Sequence, residues 1–257
     1  MTGMLLKCLV MLGLASLVGC KEELPNTFKL VGELPPNFVY AAVAHYEPEP
    51  DAKCVLADWG RAVQHFNREW DKEYEPTSTI VIRKVVDGCA VVVSSIKIRI
   101  IGVYGSVFNQ ASENRAGIGV YAELEDKYRR VMSAEDGDTF YGKCQWWFRT
   151  FGADRRIRKI LNCKKDNERG EKSVGNPFGA YMIDQLPGKT IRMNVRLENR
   201  EEPSIDDTWV EFSNGWKRCV GKGLDDLYGF CRGNYKDFVD FKMPDGRICK
   251  IYPGCNE

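Results

Sequence analysis

Histidine is nearly missing from this chain of 257 residues, in which His45 and His65 are the only two. That scarcity limits metal binding and histidine-based acid–base catalysis alike. No C-x-x-C or H-x-x-x-H pair occurs, and structural zinc sites usually draw on such spacings, so no metal site is expected. Also missing are the G-x-S-x-G nucleophile elbow, the P-loop, H-E-x-x-H and the dinucleotide fingerprint. These gaps count against an enzyme and imply no cofactor. Neither sign of charge is in excess, since 37 Lys and Arg face 36 Asp and Glu. A chain so balanced projects no long-range field, which speaks against nucleic acid as a partner. The leading apolar run, residues 8–18, falls short of the about 20 residues that a membrane-spanning helix needs.

What is present begins with that short run. Lys7 precedes it and small residues follow it, the layout of a secretory signal. In an exported protein an even set of cysteines reads as disulfides. Eight follow Cys20: Cys54, Cys89, Cys144, Cys163, Cys219, Cys231, Cys249 and Cys255. Their spacing suggests pairing in chain order, as four local loops. The clearest case is a hairpin of strands 144–151 and 156–163, where a two-residue turn at Ala153-Asp154 sets Cys144 opposite Cys163. A loop of this size contributes roughly 2–4 kcal/mol by restricting the unfolded chain.

Period-two patterns dominate the remainder. Phe38, Tyr40, Ala42 and Ala44 alternate with their neighbours, and Ile96, Ile98 and Ile100 alternate with Ser95, Lys97 and Arg99. Asp87-Gly88 punctuates a hairpin of residues 79–86 and 90–104, and residues 191–197, 209–212 and 238–241 add strands. One segment differs. Val55, Trp59, Ala62, Val63, Phe66 and Trp70 recur at three- and four-residue steps, which predicts an amphipathic helix near residues 52–72. The expected fold is therefore mainly β: a disulfide-stabilised, antiparallel sandwich with one packed helix, two lobes dividing near residues 134–138.

Two constellations invite chemistry. His45 precedes Glu47, Glu49 and Asp51, a His–carboxylate arrangement in principle. Pro48 and Pro50 scatter those side chains, so a solvated acidic loop is the better reading. The densest basic cluster, Arg155, Arg156 and Arg158 with Lys159, Lys164 and Lys165, lies beside Trp146, Trp147 and Phe148 on the hairpin. Aromatic groups rimmed by arginine suit a protein partner, and Trp146, Trp147, Arg155, Arg156 and Arg158 form the candidate partner-binding surface.

Leu17-Val18-Gly19-Cys20 resembles the lipobox of a bacterial lipoprotein. The resemblance covers four residues and their context. It implies a signal peptide of residues 1–19, lipidation of Cys20, a tether of residues 20–27 and a periplasmic ectodomain of residues 28–257. Removing residues 1–19 takes away Lys7 alone among charged residues, leaving 36 basic against 36 acidic side chains. Two or more acyl chains anchor a protein stably where one does not. Lys21, rather than Asp, after the cysteine implies the outer membrane. At the level of class, the motif-poor body and lipid tether are similar to periplasmic immunity lipoproteins of type VI secretion. The expected function is a non-catalytic protein-binding module that neutralises a secreted toxin effector. Alternatives are an accessory or structural lipoprotein of an envelope assembly, and an envelope hydrolase.

Overall fold

The computed structural model describes residues 24–56, 62–68, 73–105, 110–129, 132–133, 137–204, 208–220 and 236–256. They form a mainly β structure. The strands are β1 (Thr27–Glu33), β2 (Phe38–Pro48), β3 (Ala62–Phe66), β4 (Thr77–Val81), β5 (Arg83–Val86), β6 (Cys89–Val103), β7 (Ala111–Tyr121), β8 (Asp138–Phe151) and β9 (Arg156–Asp166). There follow β10 (Phe178–Met182), β11 (Thr190–Leu197), β12 (Glu202–Pro203), β13 (Trp209–Phe212), β14 (Gly215–Arg218), β15 (Phe241–Lys242) and β16 (Ile248–Cys249). One sheet runs β16-β15-β9-β8-β11-β1-β4, with β12 on β8; a second runs β10-β7-β6-β2-β3, with β5 on β6. A small β13–β14 hairpin stands apart from both.

Alternation builds the sandwich. Along β2, Tyr40, Ala42, Ala44 and Tyr46 are buried, and along β6 Ile96, Ile98 and Ile100 are buried too, all in one core cluster with Phe28, Leu30, Ile191 and Met193 of the first sheet. The turn Asp87-Gly88 closes β5 on β6 with both residues at positive φ, 50° and 77°, as a two-residue hairpin requires. Five ladders among the described residues are parallel: β1 with β11, β11 with β8, β10 with β7, and the short β12 with β8 and β15 with β9. Parallel neighbours need a crossover. The chain supplies it by leaving the first sheet after β9, adding β10 to the second, and returning as β11.

The β8–β9 ribbon reaches past the sandwich, and Cys144 faces Cys163 across it. Their disulfide is fully buried in the core. Cys54 bonds to Cys89 and Cys249 to Cys255. Cys219 is disulfide-bonded as well, its partner lying outside the described residues together with Cys231. Beyond the sandwich the ribbon enters a second cluster of Phe148, Ile157, Trp209, Phe241, Tyr252, Cys249 and Cys255. Strand β8 thus serves both clusters, Phe140, Cys144 and Trp146 in the first and Phe148 in the second. Arg218 ties the second cluster to the ribbon: almost wholly buried, it donates from Nε to Thr150 Oγ1 at 2.7 Å and from Nη1 to the Cys219 carbonyl at 2.8 Å. Tyr252 donates to Glu201, which Lys159 also meets at 2.6 Å, and burial, then Glu201, pushes the Tyr252 phenol far above its ordinary range.

The expected helix near residues 52–72 is not what forms. Ala62–Phe66 is an edge strand, β3, paired antiparallel with β2 from Ala42–Phe66 to Tyr46–Ala62. Its exposure alternates, with Val63 and His65 outward and Ala62, Gln64 and Phe66 half-buried. Two contacts explain the outcome. The edge of β2 offers a ready ladder of hydrogen bonds, and the Tyr46 hydroxyl, whose pKa burial pushes up to about 12, donates to Gln64 Oε1 at 2.8 Å. Residues 57–61 and 69–72, with Trp59 and Trp70, lie outside the described residues.

Candidate functional site

The five residues expected to form a binding surface do not share one. Trp146 points into the core, 6% exposed, with its ring 5.8 Å from Phe38 and 5.5 Å from Tyr104. Gly102 makes room for it, since a Cβ there would fall 2.8 Å from the indole. Trp146 is therefore withdrawn from any docking surface. Trp147 leaves the strand on the other face, half-buried, its indole N–H donating to Gln145 Oε1 at 3.3 Å. Opposite it lies Ile160. Further along that outer face, Arg158 stacks on the Phe151 ring at 4.5 Å, and Arg156 pairs with Asp154 at 3.1 Å. Arg155 sits in the turn itself, at φ 46°, its N–H donating to the Gly152 carbonyl. The ribbon end therefore gathers Trp147, Arg156 and Arg158 with Phe151, each arginine already engaged by a neighbour.

A more open site lies on the outer face of the second sheet. There a groove of about 970 Å³ crosses all five strands of the sheet's main path. Strand register lays its side chains out in rows. One row reads His45, Ser95, Gly119 from β2 to β7. The next reads His65, Val43, Lys97, Gly117, Phe178 and ends on β10. In a third, Ala41 faces Arg99, which faces Arg115. A bulge at His45/Tyr46 inserts Ser94, whose hydroxyl donates to the His45 carbonyl at 3.3 Å.

Two glycines shape the groove's β7 side. A Cβ on Gly119 would fall 2.6 Å from the Tyr121 ring, and one on Gly117 would fall 3.6 Å from the Phe178 ring. Each aromatic ring thus lies over a position that carries no side chain, which is the usual reason for glycine inside a strand. Tyr121 and Phe178 are both 41% exposed and Val63 is 47% exposed. Around them stand Arg68, Lys97, Arg99 and Arg115 with both histidines, and among the described lining residues there is no Asp or Glu. The chain as a whole is nearly neutral, so this is a local segregation of charge.

The alternation of Ser95, Lys97 and Arg99 puts them on one face of a strand, but nothing local in the sequence names that face's neighbours. Tyr121 and Phe178 carry no pattern that would single them out. Of the acids near His45, Glu49 pairs with Arg83 at 3.1 Å. Among the described residues no group of three or more His, Cys, Asp or Glu could hold a metal ion, and no helix is long and apolar enough to cross a membrane. Cys20 and the whole lipobox lie outside the described residues. Compared with family models, curated proteins and solved structures, the chain matches none.

Proposed function

We propose that this chain is an outer-membrane-anchored, periplasm-facing lipoprotein that acts as a non-catalytic protein-binding module, and that its partner docks on the outer face of the second sheet. One observation carries the docking site. Tyr121 and Phe178, both more than 40% exposed, border a concave floor of Ala41, Val43, Gly117 and Gly119. Aromatic residues and arginine are the enriched residue types of protein interfaces. An outer sheet face that needed only solvation would carry polar groups there instead. In its narrower form the partner is a secreted toxin effector, neutralised by occlusion where it arrives. The lipid address and the lack of catalytic signatures support that form.

The test is cross-linking of the mature lipoprotein in intact cells, followed by capture and mass spectrometry, run on the wild type and two double variants. Tyr121→Ala/Phe178→Ala is expected to lose the partner that the wild type retains, with the melting temperature little changed. Trp147→Ala/Arg156→Ala is expected to keep it. Unchanged recovery with the first pair and loss with the second would move docking to the ribbon.

A further inference from the structure

We infer that the docking face contains an anion subsite, Arg99, Arg115 and Lys97, that receives the carboxylates of an acidic segment of the protein partner. The inference rests on the docking reading above and adds the chemistry of what docks.

The starting point is a local conflict in the sheet. Arg99 and Arg115 are direct cross-strand neighbours on β6 and β7, on the solvent side. Like charges placed directly opposite each other destabilise an antiparallel pair. A sequence breaks such a rule without compensation mainly at functional positions. Compensation falls on Arg99, whose Nη1 meets Glu113 at 3.1 Å, with both side chains well exposed. Arg115 and Lys97 have no side-chain partner among the described residues.

The remaining geometry fits a carboxylate ligand. Lys97 stands two residues from Arg99 on the same face, about 7 Å along the strand. It lies directly opposite Gly117, so no side chain of β7 itself stands between Lys97 and Arg115. The Phe178 ring borders Gly117. An incoming carboxylate could accept from the planar fork of Arg115, and a second one, a strand step away, could meet Lys97. Acidic residues at alternate positions of an extended segment have that spacing.

The test uses the full lipoprotein in detergent and a fluorescent hexaglutamate peptide, read by polarisation. Saturable binding is expected, weakened at least tenfold by Arg115→Gln, and by Lys97→Gln to a lesser degree. Arg115→Gln alone should raise the melting temperature, because it removes the opposed charge. No saturable binding, or binding that Arg115→Gln leaves unchanged, overturns the subsite. Two further arms fix the source of the anion. If inorganic phosphate competes as well as the peptide at equal charge, or phosphatidylglycerol vesicles bind in the peptide's place through Arg115, the acidic-segment assignment fails. Failure of the docking reading looks different: peptide binding would still depend on Arg115, while cellular capture would ignore Tyr121→Ala/Phe178→Ala.

Discussion

On an extended strand, consecutive side chains leave the backbone on opposite faces, so Trp146 and Trp147 cannot share an environment. The sequence states that much and no more, because which face is the core depends on what packs against the ribbon. Phe38 and Tyr104 arrive from elsewhere in the chain and decide it, enclosing Trp146. The two residues should therefore respond very differently to truncation. Trp146→Ala removes a buried aromatic side chain in a tight setting and is expected to cost about 3–5 kcal/mol of stability. Trp147→Ala, half-buried on the outer face, should cost about 1 kcal/mol. Urea denaturation of the two variants, with unchanged slopes, gives the comparison. A larger loss for Trp147→Ala than for Trp146→Ala would mean that the ribbon's faces have been assigned the wrong way round. The same parity argument explains what happened to the expected surface. Arg156 and Arg158 stay on Trp147's side, whereas Trp146 leaves them.

At the scale of elements, turn chemistry was legible and long-range partnership was not. Asp87-Gly88 and Ala153-Asp154 each punctuate apolar runs, and the turn centred on each pair fixes the register of both flanking strands. Cys144 opposite Cys163 is a consequence of that register. The segment of residues 52–72 shows the opposite case. Its apolar spacing fits a helical stripe, but spacing cannot report that β2 has a free edge or that Tyr46 will hold Gln64. Tertiary pairing overrode the local pattern. Illegible for the same reason was the groove, whose residues run from Ala41 to Phe178 and meet only because β10 joins β7 after the ribbon has been built. The two features are separable in stability terms. Replacing Cys144 and Cys163 together by Ala removes a clip closing a 19-residue separation, and should lower stability by about 2–4 kcal/mol. Binding on the second sheet should survive at temperatures where the variant is folded, which calorimetry and the capture assay together would establish.

For the whole molecule, strand direction decides what faces where. Strands β1, β11 and β8 run parallel, with Lys29 beside Thr190 and Ile191 beside Asp138. The chain therefore enters the sandwich at the end where β8 begins, and the ribbon turn lies about 40 Å further along, at 3.3 Å per residue. With lipid on Cys20, six residues of tether would precede Asn26 at the entry end. The ribbon turn would point away from the membrane, and the groove, on the flank of the other sheet, would open sideways. Docking is expected not to depend on the anchor, since the described groove lining begins at Ala41. Cys20→Ser should then move the protein from the membrane to the soluble periplasmic fraction, without a change in melting temperature and without loss of partner capture after purification. What it should remove is protection of the cell, if the partner is a toxin that must be met at the outer membrane. A Cys20→Ser protein that remained in the membrane fraction would show that the lipobox is not the address, and would leave the sandwich and its groove to be explained without a tether.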